Sequence, residues 1–348
     1  MEFAFYIGSY TEMLAPDFGG HGDGIYSMSL NTLNGEIKVL HRLQARNPSY
    51  LAISDDKKHL YSITEIISEK NPKIQAFEIQ EDYSLKFVNE LPIEGSLPCH
   101  IAYTNRYLLV SCYGSGNVLS FSTEDSGALS KVLSNNYHSG SSINLSRQEA
   151  PHAHQVVFLP KENKAYVPDL GIDAVKVYKL HEGVLTDLIS EEIPISKGFG
   201  PRHIAFNKQA DFGYLINELT AEVSVLKLVN HKFVQISSYS SLPDDFTATP
   251  SASAIRMHPN GEFLYVGNRT LDAITIFKIE GETLNLVGYQ KMSGKTIREF
   301  NISPDGKWLI ACLQDSDLVS VYEISTTGKL SEKHYSTTVK SAVCVCFL

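Results

Sequence analysis

The chain has 348 residues, and 30 lysines and arginines against 39 aspartates and glutamates give it a net charge of −9. This acidic balance excludes a broad nucleic-acid or anionic-membrane surface, because such surfaces need clustered basic residues. Hydrophobic residues make up 43% of the chain without an apolar run of membrane-spanning length. We therefore expect a globular protein that has neither nucleic acid nor membrane as a partner.

The N-terminal segment predicts strands rather than a targeting signal. It lacks a basic start and turns polar at Ser9, which is untypical of a secretory signal. Strands are expected at Phe3–Tyr10, Gly24–Leu30 and Glu36–Leu43. The five cysteines are scattered without a CxxC pair, which favours a reducing, cytoplasmic location over a disulfide framework.

An internal repeat follows these strands. Its six copies begin at Leu51, Ile101, Val156, Ile204, Ile255 and Phe300. Each copy predicts a strand, a polar turn and a second strand, then a third alternating strand and a more variable fourth. About 40–50 residues for four strands is typical of a β-propeller blade. No segment sustains a helical apolar period, so almost no helix is expected.

The two chain ends complement each other. The three N-terminal strands match the second, third and fourth strands of a blade, and Ser341–Phe347 matches the missing first strand. Pairing them would cover sheet edges that are otherwise left exposed. The predicted fold is all-β: one seven-bladed β-propeller domain over residues 1–348, closed by pairing of the N- and C-terminal strands in a shared blade.

Equivalent positions of the blades should converge on one channel mouth. Two residues before each repeat start, and at the shared blade, the sequence has Ser49, Cys99, His154, Arg202, Ser253, Arg298 and Ser341. Just beyond the second strands it has Tyr10, Glu65, Leu170, Glu218, Arg269 and Gln314, with the second repeat shifted by a deletion. We therefore expect a charged group of His154, Arg202, Glu218, Arg269 and Arg298. The alternative is a solvated channel filled with ion pairs.

Three long loops are expected on the same face as the charged group. They are Thr11–Asp23, His138–Ala153 and Asp244–Ala252. Long loops on a rigid scaffold usually form binding walls or lids.

No metal or cofactor is expected. His152 and His154 could place two metal ligands on one strand face, but no third His or Cys has suitable spacing. The glycine-rich segment 19–24 does not match a phosphate-binding loop, and neither a serine-hydrolase elbow nor a zinc-protease motif occurs.

The charged group suits acyl hydrolysis, or its reverse, on an anionic small molecule. Glu218 or His154 can exchange a proton with water or a leaving oxygen. Arg202, Arg269 and Arg298 can bind an anion or stabilise an oxyanion through their guanidinium forks. Glu218 is the favoured base because nearby arginines keep it ionised, and His154 is its rival.

The order of several short motifs resembles a known family over essentially the full chain. The motifs are Tyr6-Ile-Gly-Ser-Tyr-Thr11, Pro151-His-Ala-His154, Gly200-Pro-Arg-His203, Asn217-Glu218 and Tyr265-Val-Gly-Asn-Arg269. Together they resemble the seven-bladed lactonases, which include cycloisomerase-type 6-phosphogluconolactonases and fungal 3-carboxymuconate lactonizing enzymes. The resemblance implies a propeller without a metal requirement and a catalytic site at His154, Arg202, Glu218 and Arg269. We expect Arg298, His203, Asn217 and Asn268 to bind substrate.

The resemblance also implies an activity. It is hydrolysis of 6-phospho-glucono-1,5-lactone to 6-phosphogluconate in the pentose phosphate pathway, so the expected partner is a small anionic sugar lactone. Lactonization of a carboxylated muconate is the alternative chemistry, and a non-catalytic ligand-binding propeller is the alternative of another class. A monomer or weak homo-oligomer is expected.

Overall fold

The computed structural model describes residues 2–16 and 18–348, whose strands form seven antiparallel sheets arranged as propeller blades. From the channel outward, blade 1 contains Ala342–Phe347, Glu2–Ser9, Gly24–Asn31 and Ile37–Gln44. Blade 2 contains Leu51–Ile53, His59–Ile63, Lys73–Ile79 and Leu85–Pro92. Blade 3 contains Pro98–Thr104, Tyr107–Cys112, Asn117–Thr123 and Leu129–Tyr137. Blade 4 contains Val157–Leu159, Lys164–Asp169, Ala174–His181 and Val184–Asp187, with Ile193–Pro194 as an extra outer strand. Blade 5 contains Pro201–Phe206, Phe212–Asn217, Glu222–Val229 and Lys232–Ser240; blade 6, Ala252–Met257, Phe263–Asn268, Ala273–Glu280 and Thr283–Lys291; blade 7, Ile297–Ile302, Trp308–Leu313, Leu318–Ile324 and Leu330–Thr338.

The remaining elements are short. Met13–Ala15 pairs with Phe18–Gly19 in a small hairpin, and 3₁₀ turns lie at Ser68–Lys70, Ile189–Glu191 and Gln314–Ser316. No α-helix occurs in the described part of the chain, as the sequence predicts. Within residues 2–16 and 18–348, no helix has the length and apolarity needed to cross a bilayer.

Blade 1 closes the ring. Its strand Glu2–Ser9 pairs antiparallel with Ala342–Phe347, with Phe5 opposite Phe347 and Ser9 opposite Ala342. The prediction that both chain ends share a blade is therefore confirmed. This pairing joins the start and end of the chain through backbone hydrogen bonds, and the strand Glu2–Ser9 is consequently paired along both of its edges.

The core consists of apolar layers between neighbouring blades. Phe5 and Ile7 of blade 1, for example, pack in one cluster with Trp308 and Ile310 of blade 7. Inner strands are largely buried on both faces, whereas outer strands such as Lys232–Ser240 alternate between exposed positions and buried or half-buried ones. This packing gives a rigid ring whose channel mouth is built from strand ends.

Bulges re-aim the side chains at that mouth. The innermost strands of blades 3, 5, 6 and 7 each shift register near their channel-mouth ends. In blade 5 the shift lies between Pro201 and His203, so the extra residue is Arg202. A bulge lets two consecutive residues oppose one partner residue and turns both toward one side. Arg202 and His203 consequently both line the channel interior.

Candidate active site

A cavity of about 530 Å³ opens at one mouth of the channel. This is within the range of about 300–1,000 Å³ that small-molecule sites occupy. All seven blades or their loops contribute to its lining, which consists of Phe18, Glu65, Leu97, Cys99, Tyr113, Arg147, His154, Glu218, Ser251, Arg269 and Arg298. The three long loops recognised in the sequence supply Phe18, Arg147 and Ser251.

A backbone hydrogen bond repeated in each blade positions the residues beyond the second strands. The amide of Glu218 donates to the carbonyl of Gly200 at 2.7 Å, and the amide of Glu65 donates to the carbonyl of Asn47 at 3.1 Å. The corresponding donor in blade 1 is Tyr10, whose acceptor is Ser341. Ser341 is thus equivalent to Asn47 rather than to Ser49. The prediction that Ser341 is equivalent to Ser49, Cys99 and His154 was therefore wrong by two residues.

Glu218 lies at the centre of a cluster of guanidinium groups. Its Oε2 accepts from Arg202 Nε at 3.0 Å and lies 2.9 Å from Arg269 Nη2. Its Oε1 accepts from Arg147 Nη2 at 2.6 Å. Burial opposes ionisation of Glu218, but Arg269, Arg147 and Arg202 outweigh it and hold the carboxyl pKa well below its usual range. Glu218 is therefore a permanent carboxylate that organises three arginines.

His154 borders this cluster without forming a hydrogen bond to it. Its Nε2 lies 3.9 Å from Glu218 Oε2, and its Nδ1 lies 3.9 Å from the Sγ of Cys99. Burial, followed by the charge of Arg202, lowers the pKa of His154 well below its usual value. The imidazole is consequently neutral at neutral pH, and His154 lines the cavity.

Arg202 and Arg269 are held by backbone carbonyl groups as well as by Glu218. Arg202 Nη1 donates to the carbonyl of Ser253 at 2.5 Å, and Arg269 Nη2 donates to that of Ala252 at 3.0 Å. Burial lowers the pKa of Arg269 to about 10, which still leaves it charged at neutral pH. Both forks are therefore fixed before substrate arrives, as electrostatic catalysis requires.

Arg298 occupies a different environment. Its Nη2 donates to the Tyr10 hydroxyl at 2.8 Å, and its guanidinium lies 5.4 Å and 5.5 Å from the ring centres of Tyr10 and Phe18. The Tyr10 hydroxyl in turn donates to Glu65 Oε2 at 2.9 Å. In the described part of the chain Arg298 forms no ion pair, so its charge is not directly compensated by a carboxylate.

The structure brings His154, Arg202, Glu218, Arg269 and Arg298 to one mouth but places the other predicted residues elsewhere. His203 lies one layer deeper, where its Nε2 faces Arg202 Nη1 at 3.3 Å. The side-chain amide of Asn217 donates to the carbonyl oxygen of Glu222 and to the hydroxyl of Ser224. The side-chain amide of Asn268 donates to the carbonyl oxygen of Ser241 and to the hydroxyl of Thr275. These bonds show how both asparagines hold the second strand to its surroundings.

Arg147 and Tyr113 are polar cavity residues that the sequence analysis did not single out. Arg147 is the only lysine or arginine in the loop of residues 138–153, so its position in a long loop over the channel was the available signal. Tyr113 fills the position that the deletion in the second repeat had obscured, because its amide donates to the carbonyl of Leu97 at 2.9 Å. Its hydroxyl accepts from Arg147 Nη2 at 3.3 Å.

The histidine pair of blade 4 does not share one environment. The Nδ1 of His152 lies 2.8 Å from the carbonyl oxygen of Tyr113, and its Nε2 lies 3.3 Å from Glu149. His154 instead faces the cavity. Among residues 2–16 and 18–348, no group of three or more His, Cys, Asp or Glu side chains is arranged to hold a metal ion.

Comparison with known proteins identifies the family to which the chain belongs. Residues 4–347 match the family described as "Lactonase, 7-bladed beta-propeller". The 6-phosphogluconolactonase of Bacillus subtilis is 34% identical, with 99% of this chain and 97% of that protein covered. The 6-phosphogluconolactonase of Formosa agariphila is 30% identical, with 94% of each chain covered. The structure of the Pseudomonas aeruginosa periplasmic gluconolactonase has a TM-score of 0.92 at 25% identity, with 100% of this chain and 99% of that chain covered.

Proposed function

This chain belongs to the family of seven-bladed β-propeller lactonases, and we propose that its substrate is 6-phospho-glucono-1,5-lactone and its product 6-phosphogluconate. Membership of this family makes the chain a lactone-hydrolysing carboxylic ester hydrolase. The observation that carries the choice of an anionic sugar lactone is the unpaired charge of Arg298 in the cavity wall. The names of the Bacillus and Formosa relatives support the same substrate.

The charge balance of the cavity favours a phosphorylated substrate. Three arginines and two glutamates line it, and Arg202 lies directly beneath. This local excess of positive charge occurs in a chain whose net charge is −9. A guanidinium resting on two aromatic rings is preorganised for a phosphate, which it can bind through two parallel hydrogen bonds. We assign that role to Arg298.

We propose His154 as the base, which reverses the preference for Glu218 drawn from the sequence. Both oxygens of Glu218 are occupied by guanidinium groups, which leaves the carboxylate poorly placed to take a proton from water. His154 is neutral, lines the cavity and, among the described residues, accepts no hydrogen bond from an arginine. In the proposed step His154 takes a proton from water while the water oxygen bonds to C1 of the lactone, and Arg269 stabilises the oxyanion. Glu218 then stabilises the imidazolium across 3.9 Å.

The substrate assignment is tested by comparing phosphorylated and unphosphorylated gluconolactone and a carboxylated muconate, after subtraction of spontaneous ring opening. We expect the highest kcat/KM with the phosphorylated lactone. Arg298→Met should lower that value by about tenfold to a hundredfold, since a charge-assisted phosphate contact is lost, and should change the unphosphorylated reaction little. Arg106→Met, which removes an exposed arginine paired with Asp125 on another face, is the matched control.

Two results would contradict the assignment. Equal kcat/KM values for the two gluconolactones in the wild-type protein would show that the phosphate is not recognised. Faster conversion of the muconate than of either sugar lactone would replace hydrolysis by the lactonizing reaction.

A further inference from the structure

The proposed hydrolysis needs a proton donor for the ring oxygen. When the C1–O bond of the lactone breaks, the leaving oxygen is an alkoxide, which is a strong base and leaves far more easily with a proton. Glu218 cannot donate this proton, because three guanidinium groups keep it ionised. The imidazolium formed on His154 is one candidate donor, and the second carboxyl group of the cavity is the other.

Glu65 is the second carboxyl group of the cavity lining, and it occupies the same position in blade 2 that Glu218 occupies in blade 5. Blades 2 and 5 are three apart in a ring of seven, so the two carboxyl groups approach the cavity from opposite sides. Glu65 is only 3% exposed. A lactone ring bound between these walls would have one face toward His154 and Glu218 and another toward Glu65.

The surroundings of the two glutamates differ sharply. Glu218 touches three guanidinium groups, whereas Glu65 accepts a hydrogen bond at Oε2 from the neutral Tyr10 hydroxyl at 2.9 Å and lies beside the neutral Ser49 hydroxyl. Arg298 is separated from Glu65 by that hydroxyl, and Arg202 and Cys99 face it from blades 5 and 3. Burial raises the pKa of Glu65 above its usual value and exceeds the opposing effect of Arg298. Two carboxyl groups whose pKa values are shifted in opposite directions are typical of acid and base roles.

We propose that Glu65 is a further catalytic residue, the general acid that protonates the ring oxygen as the C1–O bond breaks. His154 takes one proton from water, the water oxygen bonds to C1, and the ring oxygen leaves with the proton of the Glu65 carboxyl group. The protonated His154 then releases its proton to solvent, Glu65 regains one, and the new carboxylic acid ionises. The net reaction consumes one water and releases one proton. Tyr10 is a positioning residue, because its hydroxyl fixes Oε2 and leaves Oε1 to carry the proton.

The test compares pH–rate profiles between pH 5 and 8 for the wild-type protein, Glu65→Gln, Tyr10→Phe and Glu78→Gln, with background hydrolysis subtracted. Glu78 is a half-buried residue of the same blade, paired with Lys86, and serves as the matched control. The wild-type kcat should fall on the alkaline side as Glu65 ionises. Glu65→Gln should lower kcat by about a hundredfold or more and abolish that alkaline limb. Tyr10→Phe should move the limb to higher pH, because the lost hydrogen bond favours the carboxylate.

Several outcomes separate this inference from the proposed function on which it rests. A wild-type protein that opens no lactone above background overturns the proposed function and this step together. An active wild-type protein without an alkaline limb, or a Glu65→Gln variant within about threefold of the wild-type kcat, overturns the role of Glu65 alone. Circular dichroism and thermal unfolding verify that each variant is folded. If Glu65→Gln does not fold, an unchanged limb in Tyr10→Phe overturns the inference.

Discussion

Glu218→Gln should show how much of the protein's stability depends on the carboxylate at the centre of the active site. The substitution preserves shape but leaves Arg202 and Arg269, which are 3% and 14% exposed in their side chains, without a countercharge. Removing one partner of a buried ion pair costs about 3–5 kcal/mol. Arg147, at 41% exposure, adds little, since exposed pairs contribute about 0–1 kcal/mol.

This free energy converts into a measurable shift of the melting temperature. An unfolding entropy of about 2.1 cal/mol/K per residue over 348 residues predicts a Tm lower by about 4–7 °C. Glu282→Gln, which breaks the exposed pair with Lys227, should lower Tm by about 1 °C or less. Inorganic phosphate should raise the Tm of Glu218→Gln more than that of the wild type, because an anion can replace the missing charge.

The pH dependence provides a further check on the same variant. The folded-state pKa of Glu218 is depressed, so its stabilisation is complete above the ordinary carboxyl value of about 4.5 and is lost as pH falls toward the folded-state pKa. The difference in Tm between wild type and variant should therefore shrink in acid. An unchanged Tm at pH 7, or a phosphate effect equal in both proteins, would refute the countercharge role of Glu218.

Two other variants test the fold and the asparagines. Deleting Ser341–Leu348 removes the inner strand of blade 1 and should abolish cooperative unfolding, as followed by calorimetry; a truncated chain as stable as the full one would contradict the closure argument. Asn268→Ala removes amide bonds to Ser241 and Thr275 and should cost about 1–3 kcal/mol of stability with KM nearly unchanged. A large rise in KM without loss of stability would instead support substrate binding by Asn268.

The fold could be predicted from the sequence because the same pattern of strands and turns recurs in every blade. Turn residues and apolar alternation recur at a constant period, and the two incomplete ends have only one way to complete each other. Predicted strands such as Gly24–Leu30 consequently differ from the observed Gly24–Asn31 by one residue. The position of Ser341 failed because the inner strand of blade 1 is preceded by a different connection, so counting back from an apolar anchor gave the wrong register.

The candidate site was accessible only where its residues belong to the repeat. His154 and Arg202 occupy positions where other blades have Ser49, Cys99 and Ser253, so they are visible as exceptions to a pattern. Glu218 and Arg269 share a position that is Leu170 in blade 4, and the repeat fixed where they lie. Arg147 belongs to a loop outside the repeat, so no pattern fixes where its side chain lies. Asn217 and Asn268 belong to the repeat, but alternation along the strand directs their amides toward neighbouring strands rather than toward the cavity.

The comparison of Glu65 with Glu218 shows why the residue types at equivalent positions of the blades are insufficient to assign catalytic roles. The same backbone hydrogen bond fixes both residues, and both line the same cavity. Their protonation is decided by neighbours from other blades: guanidinium groups surround Glu218, whereas a phenol separates Glu65 from Arg298. The repeat thus supplies equivalent positions on opposite walls, and the differences between blades lower the pKa of the Glu218 carboxyl group whereas burial raises that of Glu65.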